Sequence, residues 1–275
     1  MWRSPQHRPG RRGALADSGV GRGGRRLLGA RGLREFALFL TVYGLYSAAR
    51  WLFAGQLPVA REHAYRVIDL ERSLHVAVEG SVQHALNWGV ASWLLSNVYL
   101  AAQLVVLPGA LIWLYWRSPA VYRQLRNTVV AAWLAAVPVY ALFPVAPPRL
   151  AGIGLADTVS HQAAIALTGR STLFYDPYAA VPSLHVGLAF AIGIAAHAVL
   201  RTRWARAAAL LWGPLVSLAV VATGNHYVFD VVTGLLVTGV AFAAVRLSGR
   251  LTVRRPRAPR LRRPIPAPAP RSGPS

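Results

Sequence analysis

Six long stretches almost free of charge constrain this chain more than any other feature. They run at roughly 36–54, 93–116, 128–146, 184–200, 207–224 and 228–245, and each is close to the roughly 20 residues an α-helix needs to cross the hydrocarbon core. Backbone polar groups inside a bilayer must be satisfied within the chain, which makes helices the economical solution. Only 14% of the 275 residues are charged and 55% are hydrophobic, whereas a soluble domain carries about a quarter charged residues. The expected fold is therefore all-α: a polytopic membrane bundle of about six transmembrane helices, forming one domain over residues 35–250.

A formal net charge of +21 would suggest a nucleic-acid partner if the charges were spread evenly. They are not. All 30 basic residues are Arg, nine of them before Phe36 and nine after Val245. Residues 1–34, rich in Gly and Arg, and 251–275, rich in Pro and Arg, have too little apolar surface to pack and read as disordered basic tails. Anionic lipid is a compatible contact for them; nucleic acid is not the expected partner. Arg used throughout in place of Lys fits a GC-rich genome, and with it a bacterial plasma membrane. The absence of Cys removes disulfides and thiolate metal sites. The first apolar run is followed by further spans, so it reads as a signal-anchor helix.

Arginine placement also orients the bundle. The two tails and the 117–126 and 201–206 loops hold 24 Arg, and the alternate segments hold six: Arg50, Arg61, Arg66, Arg72, Arg149 and Arg170. Both termini are expected in the cytoplasm, with the 55–91 loop, the 147–182 loop and the Gly224–Tyr227 turn outside. In the first outer loop Val67, Leu70, Leu74 and Ala77 share one helical face, and Glu62, Arg66 and Asp69 lie on another. This predicts an amphipathic helix in the membrane interface. His63, His75 and His84 in this loop match no zinc spacing and read as surface residues.

Three polar groups arrive together at the outer face: Ala146-Pro147-Pro148-Arg149-Leu150, Val181-Pro182-Ser183-Leu184-His185, and Gly224-Asn225-His226-Tyr227-Val228-Phe229-Asp230. His226 and Asp230, four apart, share one helical face. A carboxylate there can accept the Nδ1 proton and leave Nε2 bare, as a nucleophile or base requires. A His–Asp pair that only satisfies itself between helices is the plainer alternative. Ser183 is a candidate N-cap, and free N–H groups at a helix start attract phosphate. His185 in that first turn is suited to donate a proton to a leaving oxygen. Arg149 offers a bidentate phosphate contact, against the alternative of an Arg snorkelling to headgroups. His197, a helix length from His185, reads as structural.

Pro182-Ser183-Leu184-His185 and His226-Tyr227-Val228-Phe229-Asp230 resemble the second and third signature motifs of the type 2 phosphatidic acid phosphatase superfamily, over roughly residues 90–245. The resemblance is closest to the branch of inositol phosphorylceramide synthases (inositol phosphotransferases). It implies six helices with an extracytoplasmic site, His226 as a nucleophile forming a phosphohistidine, and Asp230 orienting it. It further implies His185 as general acid and then base, Arg149 and Ser183 binding phosphate, and neither metal nor cofactor. The implied substrate is a lipid phosphoester or diphosphate, and the acceptor is water or a polar alcohol such as inositol.

Several family features are missing. The chain has no Lys, Ala219 and Val220 stand where the phosphatase branch has Ser-Arg, and Leu184 stands where a Gly commonly precedes the motif His. These departures fit the phosphotransferase-like branch better. A transporter or lipid flippase is the competing class; Pro108, Pro138 and Pro214 within spans give it some support, although such proteins favour ionisable groups near the midplane.

Overall fold

The computed structural model describes residues 29–52, 56–162 and 178–254. Among them the regular elements are all helices, with one isolated parallel bridge between Val145 and Ala179. The tail readings for 1–28 and 255–275 lie outside the described residues, as does Arg170.

In chain order the helices are α1 (Ala30–Leu52), α2 (Leu57–Ser73), α3 (Glu79–Leu86), α4 (Gly89–Arg117), α5 (Pro119–Leu142), the short α6 (Thr158–Gln162), α7 (Leu184–Val199), α8 (Arg203–Ala222) and α9 (Val228–Arg254). Helix reaches into both of the segments expected as tails. Residues 30–34 already belong to α1, and α9 continues to Arg254.

Four helices are long and apolar enough to cross a membrane: α4, α5, α8 and the Val228–Ser248 part of α9. They suggest an integral membrane protein. Of the six runs expected, the other two fall short on these measures. Apolar α7 has 16 residues, and α1 carries Arg31, Arg34, Glu35 and Arg50. Leu104, Val105, Leu134, Leu211, Leu236 and Val240 are exposed on the outside of the bundle, as lipid-facing side chains would be.

Local chemistry accounts for the irregularities. Residues Ala102–Val106 of α4 form a π turn. Pro108 follows closely; it lacks the N–H that would bond the Leu104 carbonyl, and its ring crowds that group, so the local hydrogen-bond register shifts. The expected 117–126 loop reduces to Ser118. With Pro119 at its first turn, α5 begins at once and carries Arg123 and Arg126 on the helix itself. Arg126 bonds the Glu35 carboxylate and joins α5 to α1.

The 55–91 segment contains α2, but the helix's buried face differs from expectation. Ala60, Ala64, Val67, Ile68 and Glu71 are buried, whereas Leu70 and Leu74 are exposed. The buried set packs on Val145, Ala146, Ala151, Val181 and Tyr227. Small residues on that face let α2 lie close over the ends of the motif segments. His63 is not a free surface residue either; its ring stacks on Phe143 and its Nδ1 meets the Pro144 carbonyl at 2.8 Å.

The core of the bundle is built by α7 packing on α8, α9 and α5. Where α7 crosses α9, a Cβ on Gly187 would strike Thr238 and Gly234, and a Cβ on Gly234 would strike the Ser183 carbonyl. Only two bare backbones can approach this closely. The crossing seats the start of α7 against the start of α9.

Candidate functional site

The three polar segments meet at one end of the bundle, opposite the Arg-bearing connections around Ser118 and Thr202. Backbone contacts hold them together. Val145 N donates to Tyr178 O at 2.8 Å and Ala180 N to Val145 O at 3.3 Å, which lays the segment after α5 beside the one before α7. Arg149 N donates to Gly224 O at 2.9 Å, and Ser183 N donates to Asp230 O at 3.1 Å. Tyr227 adds its hydroxyl to Ala146 O at 3.1 Å.

Gly224 ends α8 with φ +68, a left-handed conformation that closes a helix C-terminus at little strain only for glycine. The chain then turns sharply. Asn225 N and His226 N both return to Val220 O, and α9 starts at Val228. Its first turn is capped by carboxyl oxygens from three places: Asp230 Oδ2 accepts from Tyr227 N at 2.9 Å, Glu79 from Val228 N at 2.9 Å, and Glu71 from Phe229 N at 2.7 Å. Orphan N–H groups at a helix start need such acceptors.

His226 is buried in this frame. Its Nδ1 faces two acceptors, Ala180 O at 2.9 Å and Asp230 Oδ2 at 3.2 Å. Only a protonated Nδ1 can serve both, so Nε2 of the neutral ring carries the lone pair. Burial pushes the His226 pKa down to about 3; the Ala180 carbonyl opposes this, and the charges of Arg149 and Arg50 add to it. The ring is therefore neutral at pH 7. Asp230 is fully buried, and its Oδ1 has no hydrogen-bond partner.

His185 lies with its ring centroid 5.9 Å from that of His226, the planes inclined at 53°. On its other side it stacks on Tyr99 of α4 at 4.4 Å and 20°. Tyr140 of α5 donates its hydroxyl to Pro182 O at 2.9 Å and steadies the approach to α7.

Ser183 is buried, but its hydroxyl does not cap α7 and has no hydrogen-bond partner. Its own N–H is committed to Asp230. The N–H groups left for an anion at this helix start are those of Leu184, His185 and Val186, which have no acceptor within the helix.

Arg149 does not snorkel to solvent; its side chain is 7% exposed. Nε donates to Asn225 Oδ1 at 3.0 Å and Nη1 to Asp157 Oδ2 at 3.1 Å. The guanidinium is thus fixed beside the residue preceding His226. His197 bonds Arg206 at the far end of α7, away from this group.

A family model described as the PAP2 superfamily matches residues 65–244, well over half of the chain. This chain belongs to the PAP2 superfamily. No curated protein and no solved structure matches it. Members of the PAP2 superfamily are generally phosphatases, so membership supports an enzyme of phosphatase or phosphotransferase type acting on a lipid phosphate in a membrane. The match begins at Tyr65 inside α2, earlier than the resemblance of the two motifs extends, and so includes Glu71 and Glu79.

The structure brings His185, His226, Asp230, Arg149 and Ser183 into one cluster. Sequence reasoning missed Tyr99, Asn225, Asp157, Ala180, Glu71 and Glu79. Asn225 stood within the third motif and offered a signal. Ala180 and Asp157 lie within ten residues of a motif but carry no pattern of their own, and Tyr99, Glu71 and Glu79 stand tens of residues away and become neighbours only through folding. Among the described residues no group of three or more His, Cys, Asp or Glu side chains is arranged to hold a metal.

Proposed function

We propose that this chain is a membrane-embedded lipid phosphatase or phosphotransferase that works through a phosphohistidine on His226. The observation that carries the reading is the pairing of two imidazoles 5.9 Å apart, one of them with Nδ1 tied to two acceptors. A nucleophile attacks from about 3–3.5 Å, and a general acid reaches its oxygen at about 2.6–3.2 Å. One phosphoryl group fits between such partners.

His226 Nε2 attacks phosphorus, forming an N–P bond as the P–O bond to the leaving group breaks. His185 protonates the departing oxygen, then takes a proton from the acceptor as its oxygen attacks and the N–P bond breaks. Because α9 fixes Asp230 beside Nδ1, the positive charge that develops on His226 meets a carboxylate. Arg149 and the first N–H groups of α7 stabilise the equatorial oxygens. No step requires a metal ion or cofactor.

The finer reading is an inositol phosphorylceramide synthase-like transfer to a polar alcohol, supported by the absence of Lys and by Ala219 and Val220 in place of Ser-Arg. In this reading α1 and α7 also cross the bilayer, giving six spans, and α2 rests in the interface. Arginine asymmetry then puts both termini in the cytoplasm and the site at the extracytoplasmic face of a bacterial plasma membrane. A catalytic domain over 35–250 is flanked by the basic segments 1–34 and 251–275, whose inner residues extend α1 and α9. Clustering of the ionisable groups at one end of the bundle favours catalysis over a transport pathway.

The test is the purified full-length chain with a panel of lipid phosphates, with and without inositol. His226→Ala and His185→Ala each abolish turnover while the protein still inserts in the membrane. A ³²P-labelled substrate leaves an acid-labile adduct on His226. Full activity in either variant removes the assignment.

A further inference from the structure

Arg50 sits in the last turn of α1, outside the residues matched to the family. An Arg at the end of an apolar helix has two ordinary fates: it reaches outward to the headgroups, or it rests on its own helix C-terminus. Arg50 turns inward instead. Its Cζ lies 5.4 Å from the ring centroid of Tyr46 and 5.4 Å from that of Tyr140. Tyr46 is buried, and Tyr140 is the residue whose hydroxyl holds Pro182 O, one position before Ser183. A guanidinium on aromatic faces keeps its planar fork of donors oriented and only weakly hydrated.

Its charge bears on the chemistry as well. The positive charge of Arg50 acts on buried His226 together with that of Arg149. Arg149 has already committed Nε to Asn225 and Nη1 to Asp157, so one carboxylate offsets its charge. A phosphate dianion placed between the two histidines needs further positive charge and further donors.

We propose that Arg50 is a phosphate-contacting cation of this site, supplied by α1 and held toward the histidine pair by Tyr46 and Tyr140. This rests on the phosphoryl-transfer reading above. The bundle thereby closes its site with a helix outside the family match, and α1 becomes part of the enzyme as well as an anchor.

The experiment measures binding of inorganic phosphate and of orthovanadate to the full-length protein in detergent, alongside turnover of a lipid phosphate. Arg50→Gln weakens phosphate binding and raises KM by about tenfold to a hundredfold, the loss expected for a charged hydrogen bond. Arg50→Lys recovers part of that loss, and both variants melt within a few degrees of wild type. In the wild type, phosphate shields Arg50 from modification by phenylglyoxal, read by peptide mass spectrometry; this measurement needs no variant to fold. Wild-type affinity in Arg50→Gln, or modification of Arg50 at equal rates with and without phosphate, overturns the proposal and leaves the phosphoryl-transfer reading standing. A wild-type protein that binds neither anion and turns over no lipid phosphate overturns both.

Discussion

Ser183 donates its backbone N–H to the carbonyl of Asp230 at 3.1 Å. This single bond joins the start of α7 to the first turn of α9, and so ties the motif bearing His185 to the motif bearing His226. It forms only because Gly187 and Gly234 let the two helices touch backbone to backbone. The separation of the two imidazoles is therefore set by helix packing, and the packing is open to test.

Gly234→Val pushes a branched side chain into the Ser183 carbonyl. Overpacking of this kind costs about 1–3 kcal/mol, and any relief moves α7 away from α9. Thermal unfolding in detergent is expected to shift down, with turnover falling further than the loss of folded protein explains. A variant with wild-type kcat would separate the crossing from the site.

Asp230→Asn keeps the shape of the side chain and removes its charge. Ala180 O still holds Nδ1, so the tautomer survives while stabilisation of the charged ring in the transition state is lost. Turnover should fall about tenfold to a hundredfold, the scale of one charged hydrogen bond, and less than in His226→Ala. Nitrogen-15 NMR of labelled histidine checks the ground state. His226, pushed down to about 3 by burial, should show a protonated Nδ1 and a bare Nε2 from pH 8 to pH 5, and titration near pH 6.5 would contradict this.

Glu71 gives the fold a pH dependence of known sign. Burial raises its pKa from 4.5 to about 8; the N–H of Phe229 opposes the shift, and the charge of Glu79 adds to it. Between those values the folded chain holds a proton that the unfolded chain releases. Its contribution is therefore fully present below about pH 4.5 and is lost as pH rises through 8. Melting temperatures in detergent at pH 5, 7 and 9 should fall along that series, and the fall should flatten in Glu71→Gln. Equal slopes in the two proteins would move the titration to another group.

Gly224→Ala forces an L-residue to φ +68 and sets its Cβ 3.2 Å from Ala156 O. The backbone term alone is about 1–2 kcal/mol. Gly224 O also anchors the Arg149 backbone, so KM should rise along with the drop in melting temperature. An unchanged KM would show that Arg149 keeps its position without this turn.

Much of the architecture could be read in advance. The apolar runs identified the helices of the bundle, although Pro119 starts α5 directly after Ser118 and erased the loop expected there. The i, i+4 spacing of His226 and Asp230 was legible because both lie within one turn of a single helix. In α2 the helix was readable but its buried face was not, since that face depends on which surface of the bundle lies beneath it.

What the amino-acid order determined by itself was the helical character of the chain, the charge asymmetry of its ends, and the pair of motifs that mark the family. These follow from composition and short-range periodicity, which act within a few residues. Tertiary structure alone decided that Tyr99 stacks on His185, that Ala180 shares the His226 proton with Asp230, that Glu71 and Glu79 cap α9, and that Arg50 rests against Tyr140 of α5. Each of these joins segments tens of residues apart, and their registry is set by how closely whole helices can pack, which no local pattern encodes.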